Sequence, residues 1–326
     1  MTSNTARRTL WVIATVIAMI AGCSEPPAPS EGLTRLRVAL FPAGNSLPVH
    51  AAVTRGIFER HGLDVTITDG PDLPLFMAAL VDGQYDIAMN TPTLVLVGAM
   101  KGLDIQVVSS TSVQSRPRPN AVWITKDDSI ATLGELRGKT VAVPSLTGII
   151  TDSIVYLLSR NGLQRNDVRF IQTPFPAMGD QLAAGQVDAV VATLPYSTAI
   201  ASRGFTVHED VVVEAVQEAS DGAVQDAVTT VWTAQRSFAA KHPEAIRAWR
   251  DALRDAIAYL DQDEDGARAL MSEWLTMSPE VVRQAPLPDW TVDISPAQLG
   301  PYVDIARAAG SIDSEPDVNS LVWQSP

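Results

Sequence analysis

The stretch HGLDVTITDGPDLPLFMAALVDGQYDIAMNTP, residues 61–92, returns in altered form as NGLQRNDVRFIQTPFPAMGDQLAAGQVDAVVATLP, residues 161–195, and this pairing decides the fold. Each copy opens on a Gly-Leu pair that ends a helix, and a strand follows, Leu63 to Thr68 in one and Val168 to Gln172 in the other. A helical segment follows, Leu73 to Val81 and Ala177 to Ala184. The phrase Gly-Gln-x-Asp (Gly83–Asp86, Gly185–Asp188) then leads into a second short strand, Ile87 to Met89 and Ala189 to Val191. Working outward, strands Leu36 to Phe41 and Thr140 to Val143 precede polar loops at 42–47 and 144–148. Helices follow those loops, one opening at Pro48 and one running Ile149 to Arg160. Strands alternating with helices at these lengths imply right-handed βαβ units. The fold class is therefore α/β with two similar lobes, each a mainly parallel sheet flanked by helices.

This arrangement predicts where a ligand sits, because open α/β sheets bind outside the carboxyl ends of their strands, near helix N-termini. Gly44, Asn45 and Ser46 occupy that position in the first copy, and Ser145, Thr147 and Gly148 in the second. Free backbone N–H groups and the helix dipole suit such loops to anions or polar groups. Ser, Thr and Asn are equally the preferred helix caps, so capping alone is the other reading of each.

Composition narrows the function. The 326 residues are 46% hydrophobic and 19% charged, enough for a large core or two smaller ones and incompatible with disorder. Acidic residues outnumber basic ones 37 to 24, a net charge of −13, which repels nucleic-acid backbones and anionic membrane surfaces. One cysteine and four scattered histidines (His50, His61, His208, His242) supply no metal-ligand spacing, so no metal and no cofactor is implied.

Residues 1–22 carry Arg7 and Arg8, no acidic group, and the apolar run Leu10 to Ile20, the pattern of a signal peptide. As a helix that run is about 17 Å long, short of the roughly 30 Å hydrocarbon core, so it does not span a membrane. It ends Ile20-Ala21-Gly22-Cys23, which resembles a bacterial lipobox and makes Cys23 the lipidation site. Residues 23–32 include SEPPAPSEG, a proline-rich tether that reaches about 30 Å.

Four phrases in order carry a family resemblance: GIFERHGLDVTI (56–67), LVDGQYDIAMNTPT (80–93), LRGKTVAVPSLTG (136–148) and AQRSFAAKHPEAIRAWRDALRDAIAYL (234–260). Together they resemble substrate-binding proteins of ABC importers, in the subgroup serving sulfonates, nitrate and thiamine-precursor pyrimidines. The resemblance spans Leu36 to Ile312. It implies a two-lobed type II periplasmic-binding-protein fold with two crossing hinge strands, at Ala121 to Thr125 and Val228 to Thr233. Lobe one would be 33–119 plus 234–326 and lobe two 120–233. The ligand loops would fall on Gly44 to Ser46, Asn90 and Thr91, Ser145 to Gly148, and Pro195-Tyr196. Trp232 and Trp123, on the hinge strands, would face either the cleft or the core. The implied function is capture of a small solute for an inner-membrane permease by a monomer exported to the periplasm or cell surface. A ligand sensor feeding a signalling partner is the alternative. No enzyme is implied: the fold also serves a pyrimidine synthase with a cysteine cluster, but the single cysteine here is assigned to lipid.

The acidic run Asp261 to Gly266 copies the first six positions of a calcium loop, but Ser272 stands where the bidentate glutamate belongs. It reads as a solvated turn between helices Pro243 to Leu260 and Ala267 to Leu275. The lipobox reading carries a direct expectation. Replacing Cys23 by serine moves the protein from the membrane fraction to the soluble fraction on cell fractionation; equal partitioning of the two forms would refute lipidation.

Overall fold

Strand follows helix in both copies in the predicted order. A computed structural model describes residues 32–325; the signal peptide, Cys23 and all but the last residue of the tether lie outside the described residues. The strands are β1 (Thr34–Leu40), β2 (Leu63–Asp69), β3 (Ile87–Asn90), β4 (Gln106–Gln114), β5 (Val122–Thr125), β6 (Thr140–Val143), β7 (Arg169–Gln172), β8 (Ala189–Ala192), β9 (Thr206–Asp210), β10 (Ala227–Ala234) and β11 (Asp289–Trp290). They form a six-stranded sheet, β11-β4-β10-β3-β1-β2, and a five-stranded sheet, β7-β6-β8-β5-β9.

The repeat is visible in the pairing. β1 lies parallel between β2 and β3, and β6 lies parallel between β7 and β8. Beyond each parallel trio comes an antiparallel strand, β10 against β3 and β5 against β8, so both sheets are mixed and their parallel character is confined to the repeated units. One expectation needs correction. The strand at 228–233, assigned to lobe two as its return crossing, pairs on both edges with β3 and β4 and so belongs to the six-stranded sheet. The strand at 121–125 lies likewise wholly within the five-stranded sheet. The chain passes between sheets in the segments 115–121 and 220–226 instead.

The Gly-Gln-x-Asp phrases have a structural purpose. Gly83 and Gly185 adopt φ of +74° and +68°, the left-handed conformation that ends each helix at least cost for glycine. Each aspartate then locks its repeat's first strand, Asp86 at the middle of β1 and Asp188 at the start of β6. Asp86 accepts from Arg37 N at 2.8 Å and Asp188 from Thr140 N at 2.8 Å, while their own N–H groups donate to Arg37 O and Thr140 O.

Against the six-stranded sheet packs the helix Pro243–Gln262, which buries Ile246, Trp249, Leu253, Ala256 and Leu260 at helical spacing. Trp249 stacks on Phe58 with ring centroids 5.0 Å apart and meets Trp232 edge-on at 5.3 Å. The acidic turn after this helix is a cap: Asp263 accepts from Gly266 N at 2.9 Å and starts the helix Glu264–Trp274.

Replacing Asp86 or Asp188 by alanine removes a charge-assisted bond to backbone and is expected to cost about 1.5–3 kcal/mol each, read by urea denaturation. An effect of similar size in both copies is the expected signature of one repeated clamp.

Candidate functional site

The loops that leave the parallel strands of both sheets converge on one cavity of about 380 Å³. From the six-stranded side come Phe41 and Asn45 after β1, Thr91 after β3, Gln114 at the end of β4, and Thr229 and Thr230 of β10. From the five-stranded side come Ser145, Thr147 and Gly148 after β6, with Phe175 beyond β7. The first turns of several helices reach this cavity, among them Pro92–Met100 behind Thr91 and Ile149–Arg160 behind Gly148. Gly148 holds φ of +93°, a backbone state that favours glycine, and Leu94 of the facing helix stands 3.6 Å from where a Cβ would be.

Asn45, Thr91, Ser145, Thr147 and Gly148 are therefore brought together on the cavity wall, as the sequence places them. The other expected residues stand behind it. Gly44 offers its carbonyl to Trp290 Nε1 at 3.0 Å. Ser46 is buried and donates to Phe41 O at 2.6 Å, a cap of its own turn. Asn90 donates from Nδ2 to Thr233 Oγ1 at 2.7 Å, tying β3 to β10. Tyr196 stacks at 5.3 Å on the outer face of Phe175, so it supports the wall that Phe175 forms. Trp232 faces the core, where its Nε1 donates to Thr111 Oγ1 at 3.1 Å. Trp123 is also buried, stacked 3.7 Å from His208.

Several residues with no sequence signal complete the site. Phe41 and Phe175 meet edge-on at 5.8 Å and join the two sides. Asn120 bridges them by hydrogen bonds: its Nδ2 donates to Asn45 Oδ1 at 2.7 Å and its Oδ1 accepts from Leu194 N at 2.8 Å. Asn45 in turn donates to Thr230 Oγ1 at 3.1 Å. Below them the buried Asp210 caps the helix Val211–Ala219, and burial pushes its carboxyl up to about 6 against the pull of four backbone N–H groups. In the wall itself, Thr91 Oγ1 and Gln114 Oε1 are buried without a partner.

Comparison with known proteins locates this architecture. The family model described as NMT1/THI5 like matches residues 43–267. The chain belongs to the NMT1/THI5-like family. Among curated relatives of family members, a Brachyspira hyodysenteriae protein named as an ABC transporter periplasmic binding protein is 24% identical over 220 residues. That match covers 62% of each chain, less than two thirds of the relative's length. The riboflavin-binding protein RibY of Chloroflexus aurantiacus is 24% identical over 93% of both chains. A 4-amino-5-hydroxymethyl-2-methylpyrimidine phosphate synthase of Schizosaccharomyces pombe is 24% identical over 64% of this chain and 60% of its own. The crystal structure of the periplasmic aliphatic sulphonate binding protein SsuA from Escherichia coli superposes with a TM-score of 0.72 at 17% identity. It covers 90% of this chain and 92% of that one, which establishes the two-lobed periplasmic-binding-protein fold. Among the described residues no helix is long and apolar enough to cross a membrane, and no cluster of three or more His, Cys, Asp or Glu could hold a metal ion.

Within this family fold, one buried carboxylate ties the cavity-lining helix to the C-terminal segment. Asp152 lies in the first turn of Ile149–Arg160 and accepts from Ser311 Oγ at 2.7 Å, while its second oxygen has no partner. Burial raises its carboxyl to about 6, with the Ser311 bond and the Arg165 charge acting the other way. Because this group holds its proton more tightly in the folded chain, its contribution to stability falls as pH rises from about 4 to about 6 and then levels off. Asp152→Asn keeps the acceptor for Ser311 and removes the charge. It is expected to be more stable than wild type at pH 7.5 by up to about 3 kcal/mol, with the gain shrinking as pH falls towards 4, in urea titrations across that range.

Proposed function

We propose that this protein is the extracytoplasmic solute-binding component of an ABC importer. It captures one small solute between its lobes and hands it to a permease. The observation that carries this reading is the cavity walled by loops from both sheets, with hydrogen bonds through Asn120 joining the two sides. Asn45, Thr91, Ser145, Thr147 and Gly148 contact the solute. Gly44, Ser46, Asn90, Tyr196 and Trp232 hold those contacts in place from behind. Lobe two comprises the five-stranded sheet and its helices, and closure occurs about the segments 115–121 and 220–226. The chain acts as a monomer, anchored through lipid on Cys23, without catalysis. The named relatives support transport, and a sensor role would use the same cavity.

Of the solute types served by such proteins, the cavity favours a neutral ring. Among the described residues Asp72 is the one ionisable side chain in its wall, and none is basic. Phe41 and Phe175 supply flat apolar surface. A sulfonate or nitrate is favoured by a different observation, the two helix N-termini at Thr91 and Gly148, each contributing about 0.3–1 kcal/mol towards a negative charge.

A thermal-shift screen followed by calorimetry separates these readings. 4-Amino-5-hydroxymethyl-2-methylpyrimidine is expected to stabilise the protein, by about 2.7 kcal/mol at a hundred times its Kd, and to be recovered unchanged. Stabilisation by nitrate or methanesulfonate alone would favour the anion reading, and chemical conversion of the pyrimidine would overturn the non-catalytic one.

A further inference from the structure

One polar side chain in the cavity wall has its orientation dictated from behind. Gln114 ends β4, is 1% exposed and lines the cavity. Its Nε2 donates to Asp210 Oδ1 at 2.9 Å. The remaining capacity of that carboxylate is taken by backbone donors. Oδ1 also accepts from Val212 N and Val213 N at 2.9 and 3.0 Å, and Oδ2 accepts from Asn120 N and Ala121 N at 2.7 and 2.9 Å. A backbone N–H cannot reverse its polarity. Asp210 is thus an acceptor at every contact, and the amide beside it must present N–H. Turning the Gln114 amide over would set its carbonyl oxygen against the carboxylate.

The consequence lies on the other side of the amide. Gln114 Oε1 is buried and has no partner in the chain. Thr91 Oγ1, in the same wall, is also buried without one. A buried acceptor left without a donor is costly, and sites built to bond a substrate N–H or O–H reject analogues that lack it.

We infer that Gln114 is a specificity-determining residue whose Oε1 accepts a hydrogen bond from an N–H or O–H of the solute, and that Asp210 is the positioning residue that fixes this polarity. The inference rests on the solute-binding reading and deepens it: the cavity selects solutes that carry a hydrogen-bond donor. Nitrate and unsubstituted alkanesulfonates such as methanesulfonate offer acceptors alone and meet an oxygen at this position. A ring bearing an amino or hydroxyl group supplies the missing proton.

Calorimetry with a matched pair of probes tests this. The first is 4-amino-5-hydroxymethyl-2-methylpyrimidine; the second is its 4-dimethylamino-5-methoxymethyl counterpart, which has no donor. Wild type is expected to prefer the first by about tenfold to a hundredfold. Gln114→Met keeps the length of the side chain without the acceptor, so it is expected to weaken the first probe and leave the second nearly unchanged, collapsing the ratio. Asp210→Asn frees the Gln114 amide to turn and is expected to lose the same discrimination. This ratio is a readout that general loosening of the cavity would not move selectively. Should Asp210→Asn fail to fold, the Gln114→Met ratio decides alone. Equal affinity of wild type for the two probes, an unchanged ratio in Gln114→Met, or tighter binding of nitrate or methanesulfonate than of the first probe would overturn the inference and leave solute binding intact. Failure of all four compounds to bind would overturn the solute-binding reading and the inference together.

Discussion

At the junction of the two sheets a carboxylate shut away from solvent gathers five N–H donors from three separate segments. Asp210 takes the side chain of Gln114 at the end of β4, the backbone of Asn120 and Ala121 where the chain enters β5, and the first turn of the helix Val211–Ala219. A buried carboxylate is tolerable only where such donors compensate for lost hydration. The same requirement leaves the three segments little freedom relative to one another. Asn120, held by its own N–H, can then clasp Asn45 on one side of the cavity and Leu194 on the other. The shape of the cavity follows from that clasp.

The two lobes solve one folding problem twice and then diverge. In both, a left-handed glycine ends a helix, and an aspartate three positions later locks the first strand of its unit. In both, a helix begins at the loop that leaves a parallel strand. Their differences define the site. The first lobe contributes amides and hydroxyls from Asn45, Thr91, Gln114 and Thr230, while the second contributes the Ser145–Gly148 loop and the Phe175 ring backed by Tyr196. Among the described residues no basic side chain lines the wall, which presents amides, hydroxyls and aromatic rings, groups that act at contact distance and are little affected by the acidity of the rest of the surface.

Much of this was legible before any coordinates. Periodicity, Gly-Leu and Gly-Gln-x-Asp phrases, and proline at helix starts report local conformation, and the elements they mark lie where expected, the helices Leu73–Val81 and Ile149–Arg160 to the residue. The loop positions Asn45, Ser145, Thr147 and Gly148 followed from topology, since parallel strands in βαβ units all deliver their following loops to one edge, and Thr91 came with the family resemblance. The tryptophans were not legible. A strand in a layered α/β lobe is buried on both faces, so alternation does not tell which face of β5 or β10 meets the cleft, and Trp123 and Trp232 both turned to the core.

The sequence by itself determined the two α/β units, their order, and the loops that a ligand could reach, because these depend on dihedral preferences and apolar spacing within a few residues. The tertiary structure alone decided that β10 joins the six-stranded sheet, that Asn120 spans the lobes, and that Gln114 turns its oxygen away from Asp210. Those outcomes depend on partners far apart in the chain, 145 residues between Ala88 and Thr233. A hydrogen bond or strand pairing of that kind leaves no periodic trace, because its energy exists only once both segments have been packed side by side.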